Sequence, residues 1–231
     1  MPRYPIVLLD ADNTLFDFDA AEHLALEQVL RSRGYTPDAS TMDTYLRINV
    51  ALWEAFARGE VAQDFLLVER FRRFEAAMGG SHDPEAFNAD YLNLLAANGQ
   101  LLPGAQELCH TLRAAGCTLA LVTNGATVAQ RGRVEHSPIR PYLAQVFISQ
   151  ELGVSKPDPA FFDLVCRNLP VLDRTQAVIM GDSLSSDILG GNRSGIDTIW
   201  YNPHGHPNPG TASPTYIVAD FAAATDIILQ T

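Results

Sequence analysis

The sequence predicts an α/β fold, an open parallel sheet interrupted by an all-helical insertion, and three observations carry that expectation. Six short runs, Ile6–Leu9, Thr118–Val122, Val146–Ile148, Ala177–Met180, Thr198–Tyr201 and Tyr216–Val218, lack the apolar–polar alternation of half-exposed strands. Near-continuous apolar runs mark parallel strands covered on both faces. Helix-like stretches lie between them, as successive strand–helix units require. The exception is the gap between the first and second runs, residues 10–117, which is far longer than one crossover needs.

The elements follow in order. After the first strand, the gap shows helical periodicity and no convincing strand. Tyr45, Ile48, Leu52 and Phe56 form one stripe. Phe65, Val68, Phe71, Phe74 and Met78 form a second, with Glu69, Arg70, Arg72 and Arg73 on the opposite, solvated or ion-paired side. Pro84–Asn98 suggests a further helix. Helices are then expected over Gly104–Ala115, Thr127–His136, Pro159–Asn168 and Ser185–Ser194. Asp158-Pro159 reads as an N-cap followed by Pro at the first helical position, Asp220 as the cap of a last helix, and Gly116 and Gly195 as helix ends. The expected organisation is a Rossmann-like core from residues 1–16 and 101–231, with a helical cap over 17–100. The Pro- and Gly-rich Asn202–Pro214 reads as a surface connection, and His204 and His206 within it as surface decoration lacking a third metal ligand.

Composition excludes several classes of function. The 231 residues carry 16 Lys plus Arg against 27 Asp plus Glu, a net charge of −11, which argues against a nucleic-acid polymer or an anionic membrane surface as partner. No apolar run exceeds four residues, so neither a transmembrane helix nor a secretory leader is expected. Cys109, Cys117 and Cys166 lack CxxC spacing, and their odd number rules out a complete disulfide framework. A cytoplasmic protein is the working expectation.

The residues that follow each strand are more informative than the strands. They are Asp10, Thr123, Ser149, Gly181-Asp182, Asn202 and Asp220. Open parallel sheets bind ligands beyond the carboxyl ends of their strands, where strand order reverses. With order 3-2-1-4-5, the first and fourth strands are neighbours there, and Asp10 and Asp182 face each other. Two such carboxylates repel unless one is protonated or a cation lies between them. A hard divalent ion with oxygen ligands, most simply Mg²⁺, suits that arrangement. Asp10 and Asp12, two apart as the chain leaves the strand, can point to one side, which allows one to act as nucleophile and the other as general acid.

Asp10-Ala11-Asp12-Asn13-Thr14, then Thr123-Asn124-Gly125, then Lys156-Pro157, then Gly181-Asp182-Ser183 with Asp187, occur in this order at strand ends. The set resembles the haloacid dehalogenase superfamily, specifically its phosphatases with a helical cap inserted after the first motif. The resemblance spans the whole chain; Asn13 departs from the Gly that many members carry. It implies Asp10 as the nucleophile, forming an aspartyl-phosphate. It implies Asp12 as proton donor to the leaving alkoxide and then base toward water, with its main-chain carbonyl on the metal. Thr123 and the N–H groups of Asn124 and Gly125 would hold phosphate, and Lys156 would neutralise charge. Asp182 would complete the metal site, and Asp187 would orient Lys156 or a metal-bound water. The superfamily's dehalogenases need no general acid and lack an Asp at the second position, so Asp12 favours phosphate-ester cleavage.

Several stretches also resemble the noncanonical pyrimidine 5′-nucleotidases of this superfamily: Phe16-Asp17-Phe18-Asp19, Asn49 with Leu52-Trp53, Gly59 and Arg70-Phe71 in the cap. In the core these are Leu102-Pro103-Gly104, Val154, Ser186-Asp187-Ile188, Gly190-Gly191 and Pro214-Thr215. Asn49 and Trp53 stand four apart on one helix face. An amide can pair with a pyrimidine edge and an indole can stack on it, although Trp53 reads more readily as core. The expected activity is Mg²⁺-dependent hydrolysis of pyrimidine nucleoside 5′-monophosphates, a small-molecule phosphate ester being the partner. The rivals are a sugar-phosphate or phosphoglycolate phosphatase, a 2-haloacid dehalogenase and a non-catalytic binding protein.

Overall fold

A computed structural model describes residues 1–170 and 173–230, so positions 171, 172 and 231 of the expected core range lie outside the described residues. Six strands form one parallel sheet: β1 (Ile6–Leu9), β2 (Thr118–Thr123), β3 (Leu143–Ile148), β4 (Ala177–Gly181), β5 (Asp197–Tyr201) and β6 (Tyr216–Val218). Their spatial order is β3-β2-β1-β4-β5-β6, every pair parallel. The order reverses at β1, with β2 and β4 on its two sides.

The continuous apolar runs have a direct cause in packing. Along β1, Val7 and Leu9 enter one core cluster and Ile6 and Leu8 another; Val178 and Met180 alternate with Ala177 and Ile179 in the same way along β4. Both faces are therefore covered. The first is covered by α5 (Ala105–Ala114) and α10 (Phe221–Leu229), the second by α8 (Pro159–Arg167). Asp158 and Asp220 cap α8 and α10 as expected, each accepting a main-chain N–H. β3 starts three residues earlier than its apolar run, because Ala144 and Gln145 are exposed on this edge strand. Cys109, Cys117 and Cys166 are free thiols, and burial pushes Cys109 up to about 12.

Between β1 and β2 lie α1 (Phe18–Ser32), α2 (Ala39–Ala57), α3 (Gln63–Met78) and α4 (Pro84–Ala97). They bury an aromatic cluster of their own, including Tyr45, Phe71, Phe74, Phe87 and Tyr91, with the Phe71 and Phe87 rings stacked at 4.4 Å. Two expectations for α3 require correction. Phe65 is 46% exposed, and Arg70, expected on the solvated side, is only 3% exposed. The buried face runs through Leu66, Leu67, Arg70, Phe71, Phe74 and Glu75. Arg70 joins it because polar partners meet it there: Nη1 donates to Asn49 Oδ1 at 3.3 Å, Nη2 to Asn88 Oδ1 at 2.8 Å and Nε to the Leu67 carbonyl at 3.1 Å. Glu69 and Arg73, both expected on the solvated or ion-paired side, pair at 3.0 Å on the outer surface.

The helical segment meets the sheet region chiefly through α4, which packs on α6 (Thr127–Glu135). Ala126 and Ala129, beside and within α6, belong to the aromatic cluster. The approach is close enough that a Cβ on Gly132 would lie 2.5 Å from Ala96 Cβ. Gly132→Ala is therefore expected to destabilise the protein by about 1–3 kcal/mol through overpacking, seen as a lower urea midpoint with an unchanged slope. No helix among the described residues is long and apolar enough to cross a membrane.

Candidate active site

The expected strand ends converge. Leu9 pairs with Met180, the Asp10 N–H donates to the Met180 carbonyl at 2.9 Å, and Asp10 and Asp182 leave neighbouring strands side by side. One carboxylate oxygen from each of Asp10, Asp182 and Asp187 lies within 4.8 Å of the other two. Lys156 is inserted among them. Its Nζ donates to Asp10 Oδ1 at 2.6 Å, to Asp187 Oδ1 at 2.7 Å and to the Val122 carbonyl at 2.8 Å, which uses all three protons. Of the two partners expected for Asp187, its carboxylate meets Lys156.

The electrostatics follow from burial. Desolvation and the Asp187 charge push Asp10 up to about 6 against the pull of Lys156. Burial, then the charges of Asp10 and Asp187, raise Asp182 well above the ordinary carboxylate range. Burial disfavours the Lys156 ammonium too, but Asp10 and Asp187 more than offset that and hold it above its usual value. One ammonium thus faces three acids, and the Asp182 carboxylate has no hydrogen-bond partner among the described residues. The donor set is all carboxylate oxygen, as a hard divalent cation requires.

Local sequence explains the placement. Thr14 is buried and bridges two strand ends, its hydroxyl donating to Asp10 Oδ2 at 3.3 Å and accepting from the Asp182 N–H at 3.0 Å. Asn13 has a φ of 55°, a left-handed conformation that Asn tolerates better than most residues and Gly adopts freely. That accounts for the departure from Gly at this position. The helix expected over Ser185–Ser194 opens instead as one wide turn, Leu184–Ile188, before α9 (Leu189–Ser194), with the Ile188 N–H reaching back five residues to the Ser183 carbonyl. This turn carries the fully buried Asp187 inward. Asn124 spends its side chain on the loop that holds Lys156, donating to the Lys156 carbonyl at 2.8 Å and accepting from its N–H at 3.0 Å. Thr123 Oγ1 accepts the Gly125 N–H at 3.0 Å and lines the cavity.

The cavity has a volume of about 490 Å³ and runs from Asp10, Asp12, Thr123 and Lys156 to Asn49 and Trp53, within the range of small-molecule sites. Trp53 is half-buried on its wall, in edge contact with Phe56 at 5.6 Å. Asn49 is buried at the same end, its Nδ2 donating to Glu22 Oε1 at 3.0 Å while Oδ1 takes the Arg70 contact. Burial raises Glu22, opposed by the Tyr91 hydroxyl and the Arg70 charge. Sequence reasoning placed Arg70 on the wrong face and missed Glu22 and Tyr91, which carry no motif.

Asp12 is the predicted site residue whose surroundings differ most from expectation. Its carboxylate stands outside the acidic trio and is met by Arg133 and Gln130, neither of which the strand-end motifs flagged. Their three-residue spacing on α6 was the only available signal.

Comparison with known proteins agrees with this geometry. The family model described as haloacid dehalogenase-like hydrolase matches residues 4–195. A Streptococcus pneumoniae protein named pyrimidine 5′-nucleotidase PynA is 38% identical over 97% of this chain and 95% of its own. The Escherichia coli pyrimidine 5′-nucleotidase YjjG is 30% identical over 94% of each chain. The crystal structure of the putative HAD-hydrolase YfnB from Bacillus subtilis, bound to magnesium, superposes with a TM-score of 0.92 at 32% identity, covering 98% of this chain and 99% of that one. With its acids and lysine gathered at the switch point of a parallel sheet, the chain belongs to the haloacid dehalogenase-like hydrolases.

Proposed function

We propose that the protein is a Mg²⁺-dependent phosphomonoesterase acting on pyrimidine nucleoside 5′-monophosphates such as UMP, dUMP and dTMP. The observation that carries this reading is the continuous cavity joining Asp10 and Lys156 to Asn49 and Trp53. One end suits a phosphate and the other a small polar ring. The names of the two nucleotidases at 38% and 30% identity support the same substrate class.

Asp10 and Asp182, with the main-chain carbonyl of Asp12, would hold the ion. Bound there, it would offset repulsion between the acids and a phosphate dianion and draw charge from the phosphoryl oxygens. An Asp10 carboxylate oxygen bonds to phosphorus as the P–O5′ bond breaks, and Asp12 gives its proton to the departing 5′ oxygen. Asp12 then takes a proton from water, whose oxygen bonds to phosphorus as the aspartyl–phosphorus bond breaks. Inorganic phosphate leaves and Asp10 is restored. The Thr123 hydroxyl and the Asn124 N–H hold phosphate oxygens, the Gly125 N–H being spent on Thr123 Oγ1, and Lys156 stabilises the developing charge.

Residues 17–100 act in this reading as the cap that closes over the nucleoside. Gln63 supports that role, donating from α3 to the Asn124 carbonyl at 2.8 Å, as does Asp64, which accepts from Gln150 at 2.7 Å. Asn49 meets a base edge and Trp53 offers an aromatic face. The test is a panel of UMP, dUMP, dTMP, phosphoglycolate and sugar phosphates, assayed with Mg²⁺ and with a chelator. The pyrimidine nucleotides are expected to lead in kcat/KM, with phosphate release lost on chelation and restored by Mg²⁺. A sugar phosphate or phosphoglycolate at the head of the panel overturns the substrate, and full turnover in chelator overturns the metal requirement.

A further inference from the structure

We propose that Arg133 and Gln130 are positioning residues that clamp the carboxyl group of Asp12 where it serves the leaving oxygen. Arg133 is 1% exposed, and its Nη2 stands 2.7 Å from Asp12 Oδ1 as an ion pair. Gln130 is equally buried, and its Nε2 donates to Asp12 Oδ2 at 2.8 Å. The two lie three apart on α6 and so share one helix face. Both carboxylate oxygens are met from one rigid element, Oδ2 by a hydrogen bond and Oδ1 by the guanidinium charge alone, since Oδ1 has no hydrogen-bond partner.

The arrangement costs the fold something that packing alone does not return. Nε and Nη1 of Arg133 and Oε1 of Gln130 are buried without a hydrogen-bond partner, and unpartnered buried polar atoms are destabilising. Apart from Asp12, the guanidinium meets the rings of Phe16 and Phe18, at 5.4 and 5.6 Å from their centroids. When ionised, Asp12 compensates the buried charge, and when protonated it can still accept from Gln130, so its carboxyl stays turned toward α6 in both states of the cycle. The same helix follows the Thr123–Gly125 turn, and a Cβ on Gly125 would lie 2.1 Å from Gln130 Nε2. The turn proposed to hold phosphate and the clamp on Asp12 are therefore set against each other by direct contact, an arrangement that fixes the distance between phosphorus and proton donor.

This inference rests on the reading of Asp12 as proton donor, and the experiment separates the two. kcat/KM reports phosphoryl transfer to Asp10, the step in which the leaving oxygen needs a proton. Uridine leaves UMP as a 5′-alkoxide and depends on that proton, whereas p-nitrophenyl phosphate releases a stable p-nitrophenolate that does not. Arg133→Met is expected to lower kcat/KM for UMP by about 100-fold or more and for p-nitrophenyl phosphate by under about 10-fold. Gln130→Leu is expected to act in the same direction with smaller size, and Arg133→Lys to recover part of the UMP rate. Equal losses on both substrates, or none on either, overturn the clamp. Should Arg133→Met fail to fold, Gln130→Leu and Arg133→Lys decide by the same ratio. Asp12→Asn is the control. If it discriminates between the substrates and the clamp variants do not, the clamp is wrong and the proton-donor reading stands. If Asp12→Asn loses both substrates equally, that reading fails and the clamp falls with it.

Discussion

Exchange of Asp10 for Asn is expected to lower UMP turnover by about 10⁴-fold or more, the scale on which enzymes lose activity when a covalent nucleophile is removed. The amide has nearly the shape of the carboxylate but offers no nucleophilic oxygen anion. The fold should tolerate it. Lys156 retains Asp187 and the Val122 carbonyl, and Thr14 retains its contact with the Asp182 N–H. Burial and the Asp187 charge raise Asp10 to about 6, so its ionised form is held against an unfavourable field, and a neutral side chain relieves it. The unfolding midpoint without metal is therefore expected to stay level or rise while activity disappears. Steady-state assays with purified variant and a thermal melt check both halves; normal turnover would place the nucleophile elsewhere.

Arg70→Met is expected to destabilise the protein by about 3–5 kcal/mol, the cost of removing one partner from a buried charged network. Arg70 lies within the helical segment and makes three polar contacts there, and its guanidinium sits 4.7 Å from the centroid of the Tyr91 ring. Its removal leaves Asn49 and Asn88 short of a donor and Glu22 without the positive charge that partly offsets its burial. The sign of the pH dependence follows. Glu22 is raised above its ordinary 4.5 in the fold, so the native state holds that proton more tightly than the unfolded chain. Its ionisation costs nothing below the unfolded value, and the penalty grows as pH rises through the window toward the higher folded value. Without Arg70 the window widens upward. Urea midpoints should thus separate wild type and variant more at pH 8 than at pH 5, and a gap independent of pH would remove Glu22 from the account. Because Asn49 and Arg70 line the cavity, KM for UMP should also rise in the variant.

The sheet was legible because its signal is local. A strand packed on both faces must be apolar at successive positions, so Ile6–Leu9, buried at all four positions, carries its own bounds in the sequence. β3 was cut short where an edge strand exposes Ala144 and Gln145, since exposure erases the pattern. Asp10 and Asp182 were legible for a related reason: a polar residue directly after a buried strand stands at the ligand-binding edge of a parallel sheet. Lys156, which follows β3 only after the short α7 (Ser149–Leu152), was legible through the resemblance of the ordered motifs. Arg70, Glu22, Gln130 and Arg133 were not legible, because a charged or amide side chain on an amphipathic helix reads as solvated until its partner is known. Those partners are remote in sequence: Asp12 is 118 residues from Gln130, and Glu22 is 69 from Tyr91.

The net charge of −11 shows the division clearly. Sequence alone predicted Asp10, Asp12, Asp182 and Asp187 in one crevice with Lys156, a set that suits a divalent cation. Only the tertiary structure decided that they form two groups. Asp10, Asp182 and Asp187 surround Lys156, while Asp12 is drawn aside to a second buried cation, Arg133. The physical reason is that charge in water is screened and position along the chain suffices to count it. Charge taken into a low-dielectric interior must find an opposite partner at contact distance, and only packing decides which partner that is.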